Sequence, residues 1–533
     1  MPMAWGFPVQ APAAVRYAVA QIFSPPPLRL VSSRGAAASR EGEKNMHGFS
    51  LRAMAMAAGI CLTAACSEQA LECEKADCVA DQQYKDTTID SVMMFPNAFG
   101  WNVKNPRFDP PPAKARGVLF EKAYLEVRED GVLWDARQID AILQKIDALA
   151  AEKRPVFVFA FAHGWHHNAD THDRPIDPPN PNYKVVADEP TGLGFNAIKF
   201  DYLMARFADQ VRRQFELNGD DNAPAMLGIY IGWRGKSTYD FVSNAINVRN
   251  RAEAADRIGL RTGADSLRAA LGSIAQRVDG TGAASRMIVS GHSLGGRMMS
   301  QMFLPEIAGG TPYPLGEKAL IVAIEPAISA ACYDGVFRDR TAKRDEHMIP
   351  GFIAITSAQD DAVVQGFRFG HLLPRLNPWM CNDSSPASHS AIGVYPPYIT
   401  HVWDFTGPTD VNLPKAPCKR PTLSLDRNWM SARQSQWDFP YFDANRPCPN
   451  TGGNYSDEAQ RYELTSTPGD AIHLAGPVWN IRTNDHLIDT AEDIHKSRLA
   501  SIDPHHNGFV STGLADIMSH IVYARMTWPV PNP

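Results

Sequence analysis

Gly291-His292-Ser293-Leu294-Gly295 has the spacing G-x-S-x-G. A serine hydroxyl is a poor nucleophile until a base takes its proton, and it attacks best from a sharp turn that holds it clear of the backbone. Glycines on either side let such a turn pass close to its neighbours. The flanking residues have the matching form: Met287 to Ser290 (MIVS) reads as a short strand, and Leu294 to Phe303 (LGGRMMSQMF) as an apolar helix. The N-terminus of that helix directs unbonded N–H groups and a positive dipole end at charge forming beside the serine. Ser293 is therefore the candidate nucleophile of an acyl-transfer reaction. A second concentration of reactive side chains is His163, His166, His167, Asp170, His172 and Asp173 in one loop. Imidazoles and carboxylates at that density can bind zinc or another divalent ion, so loop 163–173 supports an alternative, metal-binding reading.

These residues need a scaffold, and the apolar pattern predicts one. Val118 to Val127 mixes β-branched and aromatic residues and holds an early strand. Pro155 to Ala162 (PVFVFAFA) and Ala225 to Gly232 (AMLGIYIG) are continuous apolar runs, as expected of strands buried on both faces. Ala319 to Ile324, Phe352 to Thr356 and Val478 to Ile481 are further strands. Between them, apolar residues recur at helical spacing: Ile139, Ile142, Leu143, Ile146 and Leu149; Phe200, Leu203, Phe207, Val211 and Phe215; Leu267, Leu271, Ile274 and Val278. A last helix is expected at about 511–524. The alternation predicts an α/β protein with a mainly parallel central sheet flanked by helices. The pattern breaks over 365–475, which is rich in Pro, Trp, Tyr and Asn. That stretch reads as a long, loop-rich insertion forming a lid or wall.

With these elements in place, the sequence resembles the α/β-hydrolase superfamily, and among its members the lipase- and esterase-like proteins with GHSLGG. The resemblance covers roughly 155–370 and 475–525 and rests on three places. The first is the serine turn. The second is His163-Gly164-Trp165 after the 155–162 strand, similar to the family's oxyanion loop. The third is Gly232-Trp233-Arg234-Gly235, similar to a turn in hydrolase-like proteins with an HGW-x-x-N loop. The resemblance implies an α/β-hydrolase fold, carboxylic ester hydrolysis, and no metal or other cofactor. It also implies an order of serine, acid, histidine. Asp360, after the 352–356 strand, is the implied acid, with Asp361 and Asp334 as alternatives. His506 is the implied base, with His505 and His486 as alternatives. The backbone N–H groups of Trp165 and Leu294 are the implied oxyanion donors. A further alternative is a non-catalytic surface or binding protein on the same fold. Trp379, Trp403, Trp429 and Trp437 in the insertion would then form either a partner surface or an aromatic mini-core.

The rest of the chain bounds where such an enzyme works. Its 533 residues carry a formal net charge of −6, which lacks the basic field of a nucleic-acid-binding protein. No apolar run reaches the ~20 residues of a spanning helix. Residues 1–45 read as an over-extended start, and Met46 opens a second beginning. Arg52, the apolar stretch Ala53 to Ala65 and the sequence Leu62-Thr63-Ala64-Ala65-Cys66 form a signal peptide over 46–65. Its end resembles a bacterial lipobox, with Thr63 where Leu is usual, which implies lipidation at Cys66 and a place in the cell envelope at the outer membrane. Residues 66–115 are a polar, then Pro-rich tether, and 116–533 are the hydrolase domain with its insertion. The expected partners are a small-molecule or lipid ester and the membrane that holds the anchor. Beyond the signal and Cys66, Cys73, Cys78, Cys332, Cys381, Cys418 and Cys448 remain, an even number that suggests disulfides in an exported chain.

Overall fold

Seven-residue apolar runs pay no penalty for burial on both faces when every backbone group is paired to a neighbouring strand. The strand Val156–Ala162 shows the result. Phe157, Phe159 and Phe161 point to one side, where they meet Phe200, Phe207 and Tyr230 with ring centroids 5.2–6.5 Å apart. Val158, Ala160 and Ala162 point to the other, into the main core. The computed structural model describes residues 87–92, 120–164, 200, 201, 203–205, 207, 208, 211, 223–234, 248–337, 350–358, 360, 386–410, 434–443, 454–466 and 477–483. All belong to the unit Ser67–Pro533.

In chain order the strands are β1 (Asp90–Val92), β2 (Phe120–Glu126), β3 (Val156–Ala162), β4 (Ala225–Gly232), β5 (Arg286–His292) and β6 (Ala319–Ile324). They continue with β7 (Phe352–Ser357), β8 (His401–Asp410), β9 (Gln434–Asp443), β10 (Asn454–Ser466) and β11 (Val478–Thr483). They form one 11-stranded sheet in the order β1-β2-β4-β3-β5-β6-β7-β11-β8-β10-β9. Every pairing from β2 to β8 is parallel, and the edges beyond, β1 and the β10 pairings, are antiparallel. The helices are α1 (Ala136–Ala151), α2 (Val248–Leu260), α3 (Leu267–Gly280), α4 (Leu294–Ala308) and the short α5 (Asp334–Phe337). The helical residues Phe200, Leu203, Met204, Phe207 and Val211 cover the opposite face at β3 and β4. The chain is thus an α/β protein with a mostly parallel sheet between helices. Among the described residues no helix is long and apolar enough to cross a membrane.

Local signals start the helices where the pattern predicts. Asp135 caps α1 by accepting from Arg137 N, and Ser266 caps α3 by accepting from Ala269 N. Two elements differ from expectation. α2 escapes the periodicity reading because its buried residues are mainly Ala252, Ala254 and Ala255, with Ile258 the one large apolar side chain among them. The stretch 365–475, expected to be loop-rich, carries β8, β9 and β10. Pro408 and Pro440 lie inside those strands and read as breakers, yet edge and hairpin strands tolerate proline. The expected helix at 511–524 lies outside the described residues.

β8 pairs with β11 only over His401–Trp403. Its remaining residues, 404–410, run roughly 20 Å past the carboxyl end of β11 at the rise of a strand, paired there to β10. The root of this extension is a buried polar knot. Thr400 Oγ accepts from Asn480 N at 2.9 Å and donates to Asn480 O at 3.0 Å. Asn480 Nδ2 donates to the carbonyls of Ile392 and Tyr398, both at 2.9 Å. His401 lies beside it, packed at a tilt against Trp479 with centroids 4.2 Å apart, and burial pushes its pKa from 6.5 down to about 3.

A histidine that stays neutral when folded costs nothing above pH 6.5. As pH falls from 6.5 toward 3, the unfolded chain takes up a proton the folded chain refuses, so stability is lost at up to about 1.4 kcal/mol per pH unit. Wild type is therefore expected to lose about 2 kcal/mol more than His401→Gln between pH 6.5 and pH 4.5, measured by urea denaturation at both pH values.

Candidate active site

β5 ends at His292 and α4 begins at Leu294, so Ser293 alone makes the turn. Its backbone sits at φ 56°, ψ −116°, a region that costs a residue with a Cβ. Paired backbone holds it there. Ser293 N donates to Ile324 O of β6 at 2.9 Å, and Ser293 O accepts from Arg297 N at 2.9 Å and Ala327 N at 3.1 Å. Arg297 is fixed in turn: Nε and Nη2 fork onto Asp256 of α2 at 2.7 Å each, and Nη1 reaches Ala327 O at 3.3 Å. The Ser293 hydroxyl makes no capping bond to its own helix, so α4 does not consume it.

The flanking glycines have a steric reason. A Cβ on Gly295 would lie 2.2 Å from Ala162 O, and one on Gly291 would lie 2.3 Å from Gly295 O. The start of α4 therefore rests directly on the end of β3. Gly164 belongs to the same contact, because its Cβ would lie 2.9 Å from Ser293 Cβ. The His-Gly pair after β3 and the serine turn after β5 thus come together.

The Gly-Trp-Arg segment after β4 anchors the His-Gly pair. Trp233 N donates to His163 Nε2 at 3.2 Å, and Trp233 Nε1 donates to His163 O at 2.8 Å. The His163 ring stacks against Trp233 and Tyr230 at 5.6 and 5.5 Å. Since Nε2 accepts, the proton is on Nδ1, which donates to Gly164 O at 2.9 Å. Arg251 steadies the next carbonyl by donating to Arg234 O at 3.0 Å while it pairs with Glu129. His163 is fully buried with both ring nitrogens hydrogen-bonded, so it holds the loop and has no lone pair for a metal. Among the described residues no group of three His, Cys, Asp or Glu has metal-binding geometry. Residues 165–173 lie outside the described residues.

Asp360 is fully buried three residues beyond β7, with its N–H toward Ser357 O at 3.4 Å. β5 and β7 are separated only by β6, about 9–10 Å between strand axes, a gap that an imidazole hydrogen-bonded at both ends can bridge. Asp334 accepts from Tyr398 Oη at 2.5 Å in α5, where it fastens the 396–400 turn. The structure therefore places Ser293 and Leu294 directly after β5 and Asp360 three residues after β7, at the same edge of the sheet with β6 between them. Trp165, His506, His505, His486, Asp361 and Cys66 lie outside the described residues.

One residue of this edge escaped the sequence reading. Glu325 follows β6 directly, is fully buried, and has φ 45°. Among the described residues only Lys153, Ser293 and Glu325 combine a side chain with positive φ. The available signal was a glutamate closing the apolar run ALIVAI and followed by Pro326. Compared with protein-family models, with curated proteins and with solved structures, the chain matches none.

Two stability experiments probe this construction. Gly295→Ala is expected to cost more than about 3 kcal/mol, since backbone must move, whereas Gly272→Ala in α3, with nothing within 4 Å, is expected to gain about 0.5–1 kcal/mol. Trp233→Phe keeps the stacking but loses the donor to His163 O, and is expected to cost about 1–3 kcal/mol in the same urea titration.

Proposed function

We propose that this protein is a serine hydrolase on an α/β-hydrolase fold that cleaves carboxylic ester bonds with Ser293 as nucleophile. The observation that carries the reading is the Ser293 turn. A serine at φ 56° between a parallel strand and a 15-residue helix, with Gly164 pressed against it, is a costly conformation of the kind that nucleophile turns use. The strand order supports the fold. The serine follows a central strand, and the acid follows the second strand beyond it.

In this reading His506 takes the hydroxyl proton as Ser293 attacks the acyl carbonyl, and returns it to the leaving alcohol. Asp360 holds the imidazole in the required tautomer and steadies its positive form. The N–H groups of Leu294, at the start of α4, and of Trp165 take up the charge on the oxyanion. Water then releases the acyl group by the same proton path. The β8–β10–β9 extension, rising past the carboxyl edge, forms a wall for the acyl or alcohol portion. The engagement of both His163 nitrogens counts against the metal-binding reading of loop 163–173.

Export and lipid anchoring at Cys66 complete the proposal. Cys332 is disulfide-bonded, which suits an oxidising compartment. The substrate would then be an ester met at or near a membrane surface.

Protein lacking residues 1–66 is expected to label with a fluorophosphonate and to hydrolyse p-nitrophenyl esters. Ser293→Ala should lose labelling and at least about 10³-fold in kcat, while Asp360→Asn labels slowly. A folded wild type that neither labels nor turns over esters leaves a binding protein on this fold as the better reading.

A further inference from the structure

The serine turn and the candidate acid are two strands apart, and something must keep them in register. Backbone pairing does so from the serine to β6, through Ser293 N to Ile324 O and Ala327 N to Ser293 O. On the other side, β7 ends at Ser357, and Asp360 N turns back to donate to Ser357 O at 3.4 Å. The Ser357 N–H is buried and needs an acceptor. Glu325 supplies it: Glu325 Oε1 accepts from Ser357 N at 2.8 Å. Glu325 N meanwhile donates to Ile355 O at 2.8 Å, so one residue grips β7 by both backbone and side chain. That double grip requires the side chain to reach sideways from the end of β6, and the φ of 45° supplies that direction. The cost of a positive φ and of a fully buried carboxylate at one position points to a role beyond filling space. Ala358 N donates to Thr483 O at 3.1 Å, which ties the same turn to β11.

We infer that Glu325 is a positioning residue, holding the Ser357–Asp360 turn so that Asp360 is presented to the base that serves Ser293. The inference rests on the serine-hydrolase reading for its effect on catalysis, but the grip on the turn stands independently of it. The grip on Ser357 depends on reach and on an acceptor oxygen. Gln keeps both, and Asp keeps the charge but is one methylene too short.

The test compares Glu325→Gln with Glu325→Asp in the otherwise unchanged protein. For E325Q we expect kcat within about threefold of wild type; for E325D we expect a fall of about tenfold or more with KM little changed. In E325D the acid limb of kcat/KM should move to lower pH, because a displaced Asp360 supports the protonated imidazole less well. Amide exchange at Ser357 should quicken in E325D and not in E325Q. The reverse order of activities, with Asp tolerated and Gln inactive, would overturn the inference and make Glu325 the charged acid itself. Unchanged Ser357 exchange in E325D would also overturn it. If wild type turns over no ester, the hydrolase reading fails, and the exchange comparison still decides whether Glu325 holds the turn.

Discussion

Everything at the carboxyl edge depends on how closely three backbones approach one another. The start of α4 lies on the end of β3 with no room for a Cβ at Gly295, and Gly164 leaves no room for one beside Ser293. Such contact is reachable only if the chain turns from strand to helix in one residue, which forces Ser293 to a positive φ. The strain is local and the restraint distributed: Ile324, Arg297 and Ala327 each satisfy part of the Ser293 backbone, and Arg297 is locked to Asp256 on a different helix. A serine held this way is fixed by the backbone of several neighbouring elements at once.

Much of this was legible in the sequence because the physics is local there. A fully buried parallel strand must be apolar along its whole length, so PVFVFAFA, AMLGIYIG and ALIVAI announce themselves, and the observed β3, β4 and β6 match them to within a residue. G-x-S-x-G is legible because glycine is the residue that permits the contact. The elements that were missed obey weaker rules. α2 packs with alanines, whose small apolar area leaves little periodic signal. β8 to β10 form an extension paired antiparallel through β10, where pairing to a neighbour and not burial of both faces defines the strand.

The candidate site was legible to a smaller extent, for a related reason. Nucleophile turns have a sequence form, whereas an acid only has to arrive at the right strand end. Asp360 is buried just beyond β7, but nothing local to its residue type distinguishes it from Asp334, which proves to be fastened to Tyr398. Glu325 was invisible for the opposite reason: its significance lies in a φ value and in a hydrogen bond to a residue 32 positions away. The Trp233 anchor is similar, spanning 70 positions to His163. Long-range polar contacts leave no periodic trace, so a single chain reveals them only once folded.

The edge also shows how buried polar groups divide between holding and reacting. His163 spends both ring nitrogens and its carbonyl on neighbours, and its aromatic faces on Trp233 and Tyr230. A group so fully engaged is costly to draw toward an ion, and its work is to fix the chain that follows it. Ser293 is the complement. Its backbone is fully committed and its hydroxyl is left out of its own helix cap. Rigid, paired backbone on either side of a reactive side chain is what preorganised catalysis requires. The histidine and serine motifs of the sequence meet where Gly164 lies against Ser293. Trp233, directly after β4, holds the His163 end of that contact.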